Sequence, residues 1–223
     1  MLFTNNIIKL HLDIMYQGQR LEVKDKCTFL GVTLDNKLKF NHHISNIGNK
    51  ISKSIGVLFK LQNSVPKRIL TNLYHTLIHP YLYYCNITWA HTYQIHTNPL
   101  TVYQKRAVRI LCQAPFLAHT NHLFNNCNIP KLHDLKIYCT SIYMFKNLTN
   151  FETLDNHGHN TRNRQNLRVP AQRTKTTQQS ITFVGPKTWN NLPANLISLN
   201  KLSTLKKHLK IHLLAKYNSP TRT

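Results

Sequence analysis

From residue 2 to residue 34 apolar and polar positions tend to alternate, the period of an extended chain with one face turned inward. The alternation in "NNIIKLHLDIMYQGQRLEVKD" reverses around "QGQ", where Gly18 suits a hairpin turn. After Asp35 the period lengthens. Ile44, Ile47, Ile51, Ile55 and Leu58 recur at steps of three and four and predict an amphipathic helix over 41–61. At about 100° per residue, Lys50, Lys53 and Lys60 fall together, roughly opposite that stripe.

A second helical stretch begins in "NSVPKRILTNLYHTLIHPYLYYCNITW", with Ser64 as cap and Pro66 in the first turn. From residue 69 to 89 it is apolar on more than one side, which places it centrally in a core, and Pro80 must kink or interrupt it. In "NPLTVYQKRAVRILCQAP", Asn98 is the expected cap, Pro99 the first helical position and Ala114-Pro115 the stop. Leu100, Tyr103, Ala107, Ile110 and Leu111 form one face of this helix; Lys105, Arg106 and Arg109 form the other. "HDLKIYCTSIYMFKNL" continues the helical character. Residues 152–180 are polar and basic with few apolar anchors, the composition of a linker or of a segment that orders on a partner. Beyond them "SITFVGPKTWNNLP" predicts a short strand and a Gly-Pro turn, and "STLKKHLKIHLLAKY" a last basic helix with Leu205, Leu209 and Leu213 in line. The elements add up to an α+β chain that is mainly α.

Charge changes the picture more than any single motif. The 223 residues include 29 Lys and Arg against 7 Asp and Glu, a formal net charge of +22, with 14 histidines besides. Such a chain repels itself unless it meets a polyanion, and nucleic acid comes first. An anionic membrane surface is the rival, but the basic residues run along the whole length instead of flanking one apolar segment. No apolar run approaches the roughly 20 residues that span a bilayer, and the opening "MLFTNNIIKLHLD" does not read as a secretory leader. The expected setting is intracellular, nuclear or cytoplasmic. Five cysteines, Cys27, Cys85, Cys112, Cys127 and Cys139, without regular short spacing argue against a secreted disulfide framework and for reduced, mostly buried thiols.

Candidate chemistry is thin. Metal-dependent work on nucleic acid needs carboxylates converging on paired cations, and the seven acids, Asp13, Glu22, Asp25, Asp35, Asp134, Glu152 and Asp155, include no adjacent pair. Asp35, closing "FLGVTLD" ahead of a helix, is expected to make a turn or capping hydrogen bond. His119, His122, Cys127 and His133 are competent zinc ligands, but their spacing matches no finger pattern and histidine is abundant throughout. No "GxSxG", "GxxxxGK[ST]" or "GxGxxG" is present. The expectation is therefore no catalytic or metal-binding residue. Basic faces with too few acids to pair with them point to phosphate.

Several stretches, in order, resemble one family: "FLGVTLD" at 29–35, "HHISNIGNKISKSIGVLFKL" at 42–61, "LYHTLIHPYLYYCNITW" at 73–89, "QKRAVRIL" at 104–111, "APFLAHTNHLF" at 114–124, "NTRNRQNLRVP" at 160–170, "FVGPKTWNNLP" at 183–193 and "LSTLKKHLKIHLL" at 202–214. Together they resemble the reverse transcriptases of non-LTR, LINE-type, jockey-like retrotransposons, in the part that follows the catalytic palm motifs. The resemblance implies a primer-grip-like β-hairpin at the end of a palm over 1–38, with Phe29, Leu30, Gly31 and Val32 near the primer terminus. It further implies a helical thumb-like domain over 39–150, then the basic flexible linker over 151–180 and a strand-helix tail over 181–217. The partners implied are RNA and DNA, as a template-primer duplex, and the upstream palm and fingers of a full-length protein. Lys50, Lys53, Lys60, Lys105, Arg106, Arg109, Arg162, Arg164 and Arg168 are the candidates for backbone contacts. The family's paired-aspartate motif does not occur in this sequence, and Met1 aligns inside the palm. On this reading the chain is a fragment of an RNA-directed DNA polymerase, inactive alone and without a cofactor of its own, Mg2+ being needed only by the complete enzyme. Two alternatives stand beside it: a self-standing basic RNA- or DNA-binding protein, and a nonfunctional element remnant.

Overall fold

In the computed structural model of the chain, residues 14–153 and 166–218 are described. The strand expected in "NNIIKLHL", and with it Arg162 and Arg164, falls outside them. The first described residues form a small hairpin, β1 (Met15–Tyr16) and β2 (Gln19–Arg20), with Met15 opposite Arg20. Its turn residues Gln17 (φ 49°) and Gly18 (φ 77°) both take positive φ, the two-residue turn whose twist matches the strands. The extended run at 27–34 is itself folded back: β3 (Lys26–Phe29) pairs antiparallel with β4 (Val32–Asp35), closed by Leu30 (φ 46°) and Gly31 (φ 77°). Gly31 adopts this conformation freely, whereas Leu30 is held in it at a cost of about 1–2 kcal/mol.

Helix α1 (Asn41–Leu61) has the predicted bounds and buries the predicted stripe, with Ile51 and Leu58 fully inaccessible. The stretch after it is broken into three: α2 (Lys67–Leu77), α3 (His79–Tyr83) and α4 (Asn86–Trp89). Pro66 is the N-cap of α2 instead of lying in its first turn, and Ser64 stays outside. Pro80 takes the first turn of α3, where its missing N–H costs little, and Cys85 (φ 47°) redirects the chain into α4. Helix α5 (Gln94–Leu111) begins about one turn before the expected Asn98 cap, so Pro99 lies inside it. Pro99 leaves the Ile95 carbonyl without its helical donor, in an end so open that Ile95 is 74% exposed. Next come α6 (Asn121–Asn126), α7 (Leu132–Lys146), α8 (Lys175–Gln178), α9 (Ile181–Asn190), α10 (Ala194–Ile197) and α11 (Leu202–Ala215).

The strand and Gly-Pro turn expected in "SITFVGPKTWNNLP" are not formed; the segment is α9. A Cβ on Gly185 would stand 2.5 Å from Met144 Sδ, so Gly185 serves a close approach of α9 to α7. Tertiary packing has overridden a local turn signal.

Two apolar clusters share α7. The larger gathers β4, α1, α2, α5 and α6 around Tyr74, Trp89, Leu100 and Phe124. The smaller gathers Met144, Leu167, Trp189, Leu205, Leu209 and Leu213, the last three being the line predicted for α11. Within the stretch expected as a linker, Leu167 is buried and clasped by Asn190, whose side-chain amide accepts from the Leu167 N–H (2.9 Å) and donates to its carbonyl (2.8 Å). Tyr217, just past α11, fastens the tail to the larger cluster: its hydroxyl accepts from the Lys131 N–H (2.9 Å) and donates to the Asp134 carboxylate.

Candidate nucleic-acid interface

The seam between the β3–β4 hairpin and α1 is built around Asp35. Its Oδ1 accepts from the N–H groups of Lys37 (3.1 Å) and Lys39 (3.0 Å), and its Oδ2 from that of Phe40 (2.7 Å). The carboxylate thus fixes the turn in which Leu38 (φ 51°) and Phe40 (φ 58°) deliver the chain into α1. Of the turn or capping role read from the sequence it is the turn that forms, since Phe40 is the N-cap of α1 and no side chain caps the helix. Of the four primer-grip-like residues, Val32 is buried in the larger cluster, Gly31 supplies the turn, and Phe29 (64%) and Leu30 (72%) stand exposed at the tip. The tip is tethered from across the seam: the Tyr84 hydroxyl donates to the Leu30 carbonyl at 2.7 Å.

Below the tip lies an open groove of about 680 Å3 between the hairpin, α1 and α3. Lys50 supplies its charge, Asn46 and Asn49 its amides, and Thr28, Thr33, Tyr81 and Tyr84 its hydroxyls; among the described residues no carboxylate lines it. Lys50 Nζ stands 5.5 Å from the centre of the Tyr81 ring. His43 in the wall is 5% exposed, and its Nδ1 accepts from the Thr33 N–H at 3.3 Å, leaving Nε2 as the protonated nitrogen of the neutral ring. Burial, reinforced by the Lys50 charge, holds the His43 pKa below its ordinary value, so the ring stays neutral beside the lysine. Nε2 has no hydrogen-bond partner among the described residues. One cation with several neutral donors and no opposing anion is the chemistry of a phosphodiester contact.

A second, smaller groove of about 350 Å3 lies between the C-terminal ends of α1 and α5, lined by Arg106, Arg109, Phe59, Phe116 and the amides of Gln62, Asn63 and Gln113. The predicted basic residues therefore do not make one strip. Lys50 belongs to the first groove and Arg106 and Arg109 to the second. On a helical projection of α1 the two grooves occupy opposite flanks, roughly 20 Å apart along the axis at 1.5 Å per residue, and Lys53 and Lys60 ride the outer ridge between them. Lys105 does not line the second groove; it lies close enough to Lys131 for its charge to help lower the Lys131 pKa, after burial. Arg168 is exposed and paired with Glu152 at 3.0 Å, so part of its charge is already answered.

The four competent zinc ligands are not assembled: among the described residues no group of three or more His, Cys, Asp or Glu side chains is placed to hold a metal ion. Cys127 faces Cys112, sulfur to sulfur at 3.2 Å, and burial pushes the Cys127 thiol pKa up to about 12. None of the five cysteines, all among the described residues, is in a disulfide; two are buried and three half-buried. Among the described residues no helix is long and apolar enough to cross a membrane.

Sequence reasoning missed His43, Tyr84, Phe59, Phe116 and Gln113. Phe59 was the legible one, an aromatic beside Lys60 and off the apolar stripe of α1. The others acquire a role only through partners more than nine residues away.

No family model matches the chain, and no solved structure matches it. Among curated proteins it is similar to the RNA-directed DNA polymerase from mobile element jockey of Drosophila melanogaster, 28% identical over 124 residues, which cover 54% of this chain and 14% of that protein. It is also similar to the protein of the same description from Drosophila funebris, 25% identical over 171 residues, covering 75% of this chain and 18% of the relative. The chain spans less than a fifth of the length of these relatives.

Proposed function

From its kinship with the RNA-directed DNA polymerases of the jockey element, which are non-LTR retrotransposon reverse transcriptases, we propose that this chain is the part of such a polymerase that grips the sugar-phosphate backbone of the template-primer duplex. In this proposal residues 1–38 close the palm, 39–150 act as the thumb, and 151–217 brace it. The groove under the β3–β4 tip carries the reading: a lysine, amides and hydroxyls converge there with no carboxylate among the described residues, in a chain with 29 basic and 7 acidic residues. The Lys50 ammonium neutralises one phosphate, Asn46 and Asn49 donate to its oxygens, and the neutral His43 ring avoids a buried positive charge beside the exposed lysine. Phe29 and Leu30, exposed and tethered by Tyr84, rest against the sugar and base of the primer end. The exposed strand β3 offers an edge to the palm of the full-length protein.

Polymerisation itself is assigned to paired aspartates and Mg2+ elsewhere in the complete enzyme, and the chain is proposed to work inside the cell, where its nucleic acid is. Incubated with a primed RNA template, nucleotides and Mg2+, it should bind without extending the primer; an extended product contradicts the assignment. The direct test is fluorescence anisotropy with the primed template and with an unrelated duplex. Both should bind with similar affinity, and Lys50→Ala should weaken both equally. Absence of binding to either, or full affinity in Lys50→Ala, overturns the backbone grip at this groove. The alternative, a self-standing nucleic-acid binder, draws on the extent of the two buried clusters. It requires a cooperative thermal transition of the isolated chain by circular dichroism, and a featureless melt counts against it.

A further inference from the structure

The groove at the ends of α1 and α5 differs in kind from the one under the hairpin. Its charges are two arginines, and it brings together two exposed phenylalanines, Phe59 (57%) and Phe116 (76%), from elements more than fifty residues apart in sequence. Arg109 is anchored: its Nε donates to the Ala118 carbonyl at 3.0 Å, which leaves the Nη groups available as donors. Gln113 closes the end of α5 with a positive φ of 49°, where glycine is the preferred residue. The Gln113 N–H donates to the Ile110 carbonyl (3.1 Å) and the Ala114 N–H to the Arg109 carbonyl (2.9 Å), so the strained cap is held on both sides. Glutamine in place of glycine there brings a side-chain amide, whose Nε2 donates to the Gln62 carbonyl at 3.1 Å and whose Oε1 remains an acceptor. With Gln62 and Asn63 alongside, the wall carries both donors and acceptors, and among the described residues no carboxylate lines the groove.

We propose that this groove holds one unpaired nucleotide of a single-stranded segment of the bound nucleic acid, its base stacked on Phe59 and Phe116, its phosphate on Arg106 and Arg109, and its base edge against the Gln113, Gln62 and Asn63 amides. The inference rests on the nucleic-acid reading above and adds a site for single strand to one for duplex. Aromatic rings interleaved with arginine are what a stacked base and its phosphate require, because every base has a π-face and a guanidinium takes phosphate in a forked contact. About 350 Å3 is at the small end of ligand clefts, which span about 300–1,000 Å3, and suits a single nucleotide. Arg106 and Arg109 match an anion and give no reason for an apolar helix to dock there. The outer ridge of α1, with Lys53 and Lys60, joins the two grooves, so a strand leaving the duplex groove crosses lysines to reach this one.

The test measures binding of two fluorescein-labelled probes of one sequence by anisotropy, a single-stranded RNA oligonucleotide and its blunt duplex, at one fixed salt concentration. Phe59→Ala and Phe116→Ala, both at exposed positions, are compared with the wild type after circular dichroism has confirmed equal folding. Each should weaken the single strand by about fivefold or more and leave the duplex within about twofold, whereas Arg106→Ala combined with Arg109→Ala should weaken the single strand most. A 2-aminopurine base in the strand should be quenched by the wild type and less so by Phe59→Ala. If the phenylalanine variants bind the single strand as the wild type does while duplex binding persists, the stacking site is wrong and the backbone grip stands. If neither probe binds the wild type, the nucleic-acid reading fails and this inference goes with it.

Discussion

Asp35 spends both carboxylate oxygens on three backbone N–H groups, and two residues of the turn it holds, Leu38 and Phe40, have positive φ. A side chain that satisfies one buried and two part-buried donors is costly to remove. Asp35→Ala should lower stability by about 2–4 kcal/mol in chemical denaturation, and Asp35→Asn, which keeps one acceptor oxygen, by about half as much. A loss under about 0.5 kcal/mol for the alanine variant contradicts the clamp. Tyr84 acts at the same scale on the other side of the seam. Tyr84→Phe removes only the donor to the Leu30 carbonyl, so it should leave global stability within about 1 kcal/mol while amide hydrogens of residues 26–35 exchange faster. Unchanged exchange there means the tether does not fix the tip. Gln104 shows how a single residue ties elements together: its Nε2 donates to the Tyr74 hydroxyl (3.0 Å) and the Pro130 carbonyl (2.9 Å), and its Oε1 accepts from the Leu132 N–H (2.8 Å). It occupies the same face of α5 as Leu100 and Ala107, and in the sequence it is hidden by being polar.

Among the elements, α1 was the most legible, because five aliphatic residues repeat at helical spacing and nothing local competes with them. α5 was legible in its faces and not in its start, since Asn-Pro is a strong local cap signal and the helix begins about one turn before it, in an exposed end. α9 was misread for the same reason: Gly185-Pro186 reads as a turn until Met144 is known to press against it. Gly185→Ala should therefore destabilise the α7–α9 contact by about 1–3 kcal/mol, an overpacking cost, and a neutral or stabilising result contradicts the close approach. The docking of the tail was not readable at all, because Tyr217 and Asp134 are 83 positions apart. Tyr217→Phe takes a donor from a buried carboxylate and should cost about 1.5–3 kcal/mol. The two grooves were illegible as sites for the same physical reason. Their basic residues stood out one helix at a time, but which of them share a groove depends on how α1 meets α3 on one flank and α5 on the other.

Over the whole molecule, charge governs both stability and binding. Burial is the first cause that holds His43, His75, His79 and His91 below their ordinary pKa, to about 4 for His79 and His91, and nearby lysines add to it. In the unfolded chain these rings take up protons below about 6.5, whereas the folded chain resists until lower pH. Their contribution is intact above about 6.5 and is lost as pH falls toward 4. Burial pushes the Asp134 carboxyl up, but hydrogen bonds from His133 and Tyr217 outweigh it and hold the pKa below its ordinary value. Its contribution is lost only at still lower pH, so histidines dominate the interval. The thermal midpoint should drop between about pH 7.5 and pH 5, and a midpoint that rises over this range contradicts rings held neutral by the fold.

The grip on phosphate is tested most directly by the salt dependence of binding. The affinity for a blunt DNA duplex, measured by anisotropy between about 50 and 200 mM salt, should fall linearly on a log-log plot with a slope of about −0.9 for each phosphate neutralised, and Lys50→Ala should reduce that slope by about one. A flat dependence, or a slope that Lys50→Ala leaves unchanged, contradicts the account.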